Sequence, residues 1–213
     1  MVRVVSFDMD GTLIQQDYVN HVWLEGIPRL YARRRGLSLA EARRLVEAEY
    51  HKVGEDDLLW YDIQHWIETF GLQCHWRDLL HRYAHLLRLY PEVPEVLNRL
   101  RGSYQLIIIS NAAREFIQVE TETLGITDHF DHIFSAVTDF QQTKKHPLVY
   151  QRICDTLGVN REDVVHVGDS WDFDYCAPRS AGITSYYLDR DGAADGPYVL
   201  KDLETFARKL AEQ

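Results

Sequence analysis

Arg3-Val4-Val5-Ser6-Phe7-Asp8-Met9-Asp10-Gly11-Thr12-Leu13 carries a β-branched and aromatic run straight into two carboxylates and a glycine. Residues 3–7 read as a short buried strand, and Gly11 as the turn that releases the backbone from it. Side chains alternate along a strand, so Asp8 and Asp10 point the same way as the chain leaves it. Two carboxylates so placed repel, and one pKa rises unless a divalent cation or a lysine offsets the charge. The pattern points to metal-dependent phosphoryl transfer and predicts compensating charge elsewhere in the chain.

Two more strands bring polar groups to their carboxyl ends. Tyr104-Gln105-Leu106-Ile107-Ile108-Ile109 runs into Ser110-Asn111, and Val164-Val165-His166-Val167 runs into Gly168-Asp169-Ser170, with Asp174 five residues past Asp169. In a parallel sheet these ends share one edge, where doubly wound folds bind ligands. Beyond Pro91 helices and strands alternate: helices at 94–101, 114–124, 147–157, 172–181 and 200–211, and strands at 104–109, 133–137, 164–167 and 183–188. That alternation implies an α/β fold with a parallel sheet covered on both faces. Between Gln15 and Leu89 the pattern is helical, with nine arginines from Arg29 to Arg88. Helices are expected at 18–35, bent or divided by Gly26 and Pro28, from Leu39 to Val53 with Ser38 as N-cap, at 55–70, and at 75–89.

These motifs, taken in order with a lysine in Thr143-Lys144-Lys145-His146-Pro147, resemble those of the haloacid dehalogenase (HAD) superfamily, and within it the magnesium-dependent phosphatases. The third motif departs from the family pattern: Thr143 stands where glycine usually precedes the lysine, and Pro147 is the one proline left of two. Counting back three residues from Pro147 selects Lys144 over Lys145. The resemblance implies a doubly wound, Rossmann-like core over residues 1–14 and 90–213, with strand order five-four-one-two-three, and an α-helical bundle cap over residues 15–89.

The resemblance further implies Mg2+ as cofactor, held by Asp8, Asp169 and the backbone carbonyl of Asp10. Asp174 either holds a metal-bound water or orients the lysine. Asp8, first off the strand, is the expected nucleophile that forms an aspartyl-phosphate. Asp10 is the acid that protonates the leaving alcohol and then the base that deprotonates water, which needs a pKa raised toward neutrality. Ser110 and the amides after it bind phosphate, with Asn111 beside them fixing the loop, as does Thr12, while Lys144 balances charge between phosphate and Asp8. Tyr18 and His21 are expected to line the substrate pocket, because a chain leaving Leu13 cannot travel far in so few residues.

Composition bounds the partners. In 213 residues, 46% hydrophobic and 26% charged describe a globular protein, and a net charge of −10 argues against nucleic-acid or anionic-membrane partners. A small phosphorylated substrate remains compatible, because a cation and a lysine reverse the local field. No basic-then-apolar leader follows Met1 and no apolar run approaches the roughly 20 residues that span a bilayer, so a cytoplasmic protein is expected. Cys74, Cys154 and Cys176 fit no paired spacing and read as free thiols. His81 and His85 share a helical face but lack the further ligands of a zinc site. The expected activity is hydrolysis of a small phosphorylated metabolite. The alternatives are a phosphomutase of the same superfamily and a non-catalytic binding protein; a dehalogenase would lack the second aspartate, Asp10. The oligomeric state stays open.

Overall fold

The computed structural model describes residues 1–144 and 146–212, so Lys145, the competing motif lysine, lies outside the described residues. Strand β1 (Val4–Phe7) leads into five helices: α1 (Asp17–His21), α2 (Ile27–Arg35), α3 (Leu39–Val53), α4 (Ile63–Thr69) and α5 (Trp76–Tyr83). The remainder runs α6 (Val93–Leu100), β2 (Gln105–Ser110), α7 (Arg114–Leu124), β3 (His132–Ser135), α8 (Ala136–Asp139), α9 (Pro147–Leu157), β4 (Val164–Gly168), α10 (Ala177–Ser180), β5 (Thr184–Leu188), β6 (Val199–Leu200) and α11 (Leu203–Ala211).

The sheet has the order β3-β2-β1-β4-β5-β6 and every pairing is parallel. This is the expected order, with β1 inside the sheet and β6 added at one edge. Phe7 pairs with Ile108 on one side and with Val167 on the other, so the three central strands end level. Alternation divides their apolar residues between two cores. Val5, Phe7, Leu106, Ile108, Val165 and Val167 join the cluster that continues into the helices between β1 and α6. Val4, Ile107, Ile109 and Val164 pack against α9 and α10. A fully buried side chain of this size stabilises the fold by about 1.5–3 kcal/mol.

Local sequence explains the departures from expectation. A π-helical turn, Val22–Gly26, joins α1 to α2 where a bend is expected. Ser38 and Glu41 form a reciprocal capping box at the start of α3. Residues 55–70 do not form one helix: Asp57 accepts from the Leu59 amide at 2.9 Å and Asp62 from the His65 amide at 3.0 Å. Each carboxylate caps a new start, giving a 3₁₀ turn over Leu58–Tyr61 and then α4. Residues 75–89 likewise divide, into α5 and a 3₁₀ turn at Ala84–Leu86. The strand expected to reach Val137 stops at Ser135, whose hydroxyl caps α8. Among the described residues no helix is long and apolar enough to cross a membrane.

Candidate active site

The level ends of β1, β2 and β4 bring Asp8, Ser110 and Asp169 to one edge, and the loop before α9 carries Lys144 to it. Lys144 is the most buried of these groups for its size, 2% exposed. Its Nζ contacts the Asp8 carboxylate and lies 2.6 Å from Asp174 Oδ1 and 3.2 Å from the Ile109 carbonyl. Burial disfavours its charge, but Asp174 and Asp8 outweigh that and raise its pKa above the ordinary lysine range. Asp174 shows the reverse balance: burial pushes its pKa up, and Lys144 with His166 holds it below the usual carboxylate range.

The remaining acids are less compensated. The pKa of Asp8 is raised, chiefly by burial, despite Lys144. Asp10 is pushed up to about 7 by burial and then by Asp8, and its buried Oδ1 has no hydrogen-bond partner among the described residues. Asp169 is raised by burial and by Asp8 and Asp174. Carboxylate oxygens of Asp8, Asp169 and Asp174 lie within 4.8 Å of one another. An all-oxygen, mutually repelling set of this kind fits a hard divalent cation such as Mg2+.

The turn that follows β1 leaves no room for a side chain. Gly11 has φ +82°, and a Cβ there would fall 2.0 Å from Asp169 Oδ2. Asp169 is steadied by Gln16, whose amide donates to Oδ2 at 3.1 Å. Thr12 donates to Asp8 Oδ2 at 3.3 Å. Ser110, 2% exposed, accepts from the Ala112 amide at 3.0 Å. Asn111 accepts from the Lys144 amide at 2.7 Å and donates to the Tyr61 hydroxyl at 3.3 Å.

A cavity of about 670 Å³ opens above these groups, and Asp8, Asp10, Ser110, Asn111, Lys144, Asp169 and Asp174 reach its wall. Tyr18 and His21 do not, which corrects the expectation drawn from sequence distance. Tyr18 is fully buried, with its ring edge-on to Phe116, and the His21 ring faces Tyr83. Helical geometry separates neighbours by about 100°, so Val19, Asn20, Trp23 and Leu24 take the cavity side instead. Closeness along the chain fixed the distance but not the face.

Two contributors were not legible as site residues. His166 sits in the middle of β4, fully buried; its Nε2 is 3.0 Å from Asp174 Oδ1 and its Nδ1 2.8 Å from Ser6 Oγ. Burial lowers its pKa, so the neutral ring donates to Asp174 and accepts from Ser6. A histidine inside an apolar strand was the available signal. Arg190 donates to the Gly11 and Thr12 carbonyls at 3.2 and 2.7 Å and to Glu92 at 2.8 Å, clamping the turn after β1. Nothing in its local sequence marks that role.

Comparison with known proteins agrees with the fold. The family model described as a haloacid dehalogenase-like hydrolase matches residues 2–182. The GMP/IMP nucleotidase YrfG of Escherichia coli (strain K12) is 28% identical over 171 residues, covering 79% of this chain and 75% of the relative. A (S)-2-haloacid dehalogenase 4A of Burkholderia cepacia is 27% identical over 185 residues, covering 80% and 77%. The crystal structure of a HAD phosphatase from Thermococcus onnurineus superposes with a TM-score of 0.87 at 27% identity, covering 99% of this chain and 98% of the other.

Proposed function

The chain belongs to the haloacid dehalogenase-like hydrolases, and from that premise we propose that it is a phosphatase acting on a small phosphomonoester through an aspartyl-phosphate on Asp8. The observation that carries this reading is Asp10: a second, half-buried carboxylate beside Asp8, whose buried Oδ1 has no partner among the described residues and whose pKa is raised toward neutrality. A dehalogenation needs no group to protonate an alkoxide leaving group, whereas ester hydrolysis does.

Asp8 attacks phosphorus, and the bond from phosphorus to the ester oxygen breaks as Asp10 passes its proton to that oxygen. Water then attacks the acyl phosphate, giving its proton to the Asp10 carboxylate, and the bond from phosphorus to Asp8 breaks to release phosphate. Lys144 offsets negative charge on Asp8, while Asp174 and His166 hold the ammonium in place. Ser110 and the amides after it provide donors for the phosphoryl oxygens. Asp8, Asp169 and the Asp10 carbonyl would hold Mg2+, with Asp174 engaged chiefly by Lys144. Bound there, the cation neutralises the phosphate and the clustered carboxylates. The helices of residues 15–89 form a cap that excludes water and meets the leaving group. A cytoplasmic setting, consistent with three free cysteines, belongs to the same reading.

The test is phosphate release from p-nitrophenyl phosphate with Mg2+, beside chloride release from 2-chloropropionate. Phosphate release that is lost in Asp8→Asn supports the reading. Chloride release without phosphate release overturns it.

A further inference from the structure

The same cavity is walled in part by aromatic rings. Trp23 and Phe116 stack at 5.3 Å with an interplanar angle of 18°, and Trp60 meets Tyr50 edge-on at 6.1 Å; all four rings reach the wall. Tyr61 joins them, with its hydroxyl tied to the Glu55 carbonyl at 3.0 Å and to Asn111. Aromatic walls hold flat π-faces well and offer little to a short, fully polar acid.

Charge narrows the choice further. Glu47 and Glu55 also line the cavity, Glu47 one helical turn before Tyr50 and His51 on α3. Among the described lining residues, Lys144 is the one with a permanent positive charge, and it is already paired with Asp8 and Asp174. A leaving group that carries its own carboxylate would therefore meet two like charges and, among the described lining residues, no unpaired permanent cation. A ring edge bearing N–H donors would find acceptors in the same two carboxylates.

We propose that this cavity selects a phosphomonoester whose leaving group carries a planar heteroaromatic ring system with N–H donors and bears no carboxylate, the chemistry of a purine nucleoside 5′-monophosphate. The inference rests on the phosphatase reading and adds the substrate class to it. Trp23 and Trp60 supply the stacking surface, and Glu47 and Glu55 are the specificity-determining acceptors.

The experiment compares kcat/KM for GMP, AMP, phosphoglycolate and p-nitrophenyl phosphate in the wild type, Trp60→Ala, Trp60→Phe and the Glu47→Gln/Glu55→Gln double variant. The nucleotides should exceed phosphoglycolate by roughly 100-fold, since stacking and charge exclusion act together. Trp60→Ala should lower the nucleotide values roughly ten-fold or more while p-nitrophenyl phosphate changes less, and Trp60→Phe should recover part of the loss. The double variant should narrow the gap between phosphoglycolate and the nucleotides. Phosphoglycolate turned over as well as the nucleotides, with p-nitrophenyl phosphate still hydrolysed, overturns the substrate class alone. No phosphate from any of the four esters overturns the phosphatase reading and this inference with it.

Discussion

The Asn111 side-chain amide donates to the Tyr61 hydroxyl at 3.3 Å while its oxygen accepts from the Lys144 amide at 2.7 Å, so one residue joins the turn between α3 and α4 to the loop that carries the buried lysine. Tyr61 is in turn held by the Glu55 carbonyl. Position of that turn and position of Lys144 are thus linked through two hydrogen bonds.

Tyr61→Phe should lower kcat about three- to ten-fold, the scale of one hydrogen bond worth about 1 kcal/mol, and Asn111→Ala should cost more because it also frees the Lys144 amide. In the double variant the Tyr61 change should add little to the Asn111 change. Fully additive losses would show that the two residues act independently.

Magnesium should raise the melting temperature of the wild type as well as support turnover, because the carboxylates of Asp8, Asp169 and Asp174 lie within 4.8 Å of one another. Asp169→Asn should abolish most of that thermal shift, and chelation should reverse it. Calcium should stabilise without supporting much turnover, since its looser shell misplaces nucleophile and phosphorus. A thermal shift unchanged in Asp169→Asn would remove that residue from the ligand set.

Lys144→Ala should destabilise the fold by roughly 3–5 kcal/mol, because it strips Asp174 and Asp8 of the cation buried between them. Urea denaturation measures the loss. Adding Asp174→Asn should recover part of it by removing one stranded charge. A Lys144→Ala midpoint close to wild type would mean that water satisfies the acids and that the pair contributes little.

Glu120 on α7 makes a pH-dependent prediction. It is fully buried, neither oxygen has a hydrogen-bond partner among the described residues, and burial, then Asp10 and Asp8, raises its pKa well above the usual glutamate value. A raised folded pKa means that the folded state keeps a proton the unfolded chain has lost. Stability contributed by this group is therefore full below pH 4.5 and falls as pH rises, by up to about 1.4 kcal/mol per pH unit. Glu120→Gln should match the wild type near pH 4 and melt higher than it at pH 7. Equal melting temperatures at both values would show that Glu120 ionises freely in the fold.

Asp8→Asn should reduce turnover more than about 100-fold with the fold retained, because the amide keeps the shape and loses the nucleophile. Asp10→Asn should slow poor leaving groups more than good ones, read as a steeper dependence of rate on leaving-group pKa. Equal slowing across leaving groups would assign Asp10 to the geometry of the turn.

Much of the fold was legible because its signals are local. The apolar runs at 4–7, 105–110 and 164–168 declare strands, and Gly11 marks a turn that no side chain fits. The parallel pairing followed from helices alternating with strands, and the family resemblance implied the strand order and assigned Asp8, Asp10, Ser110, Lys144 and Asp169 to one edge. Whether 55–70 makes one helix or two was not legible, since Asp57 and Asp62 read equally as solvated helix residues until their carboxylates are seen to cap.

By itself, then, the sequence determined the strands and which acids stand at their carboxyl ends, because strand period and turn chemistry act over a few residues. The tertiary structure alone decided which face of α1 meets the cavity, sending Tyr18 into the core and Trp23 to the wall. It alone brought His166 and Arg190 to the site, and Glu47 and Glu55 to the cavity wall. Those placements depend on how helices roll against one another and on contacts across as many as 179 residues of chain. A local pattern cannot encode them, because the rotation of a helix is fixed by the partner it packs against.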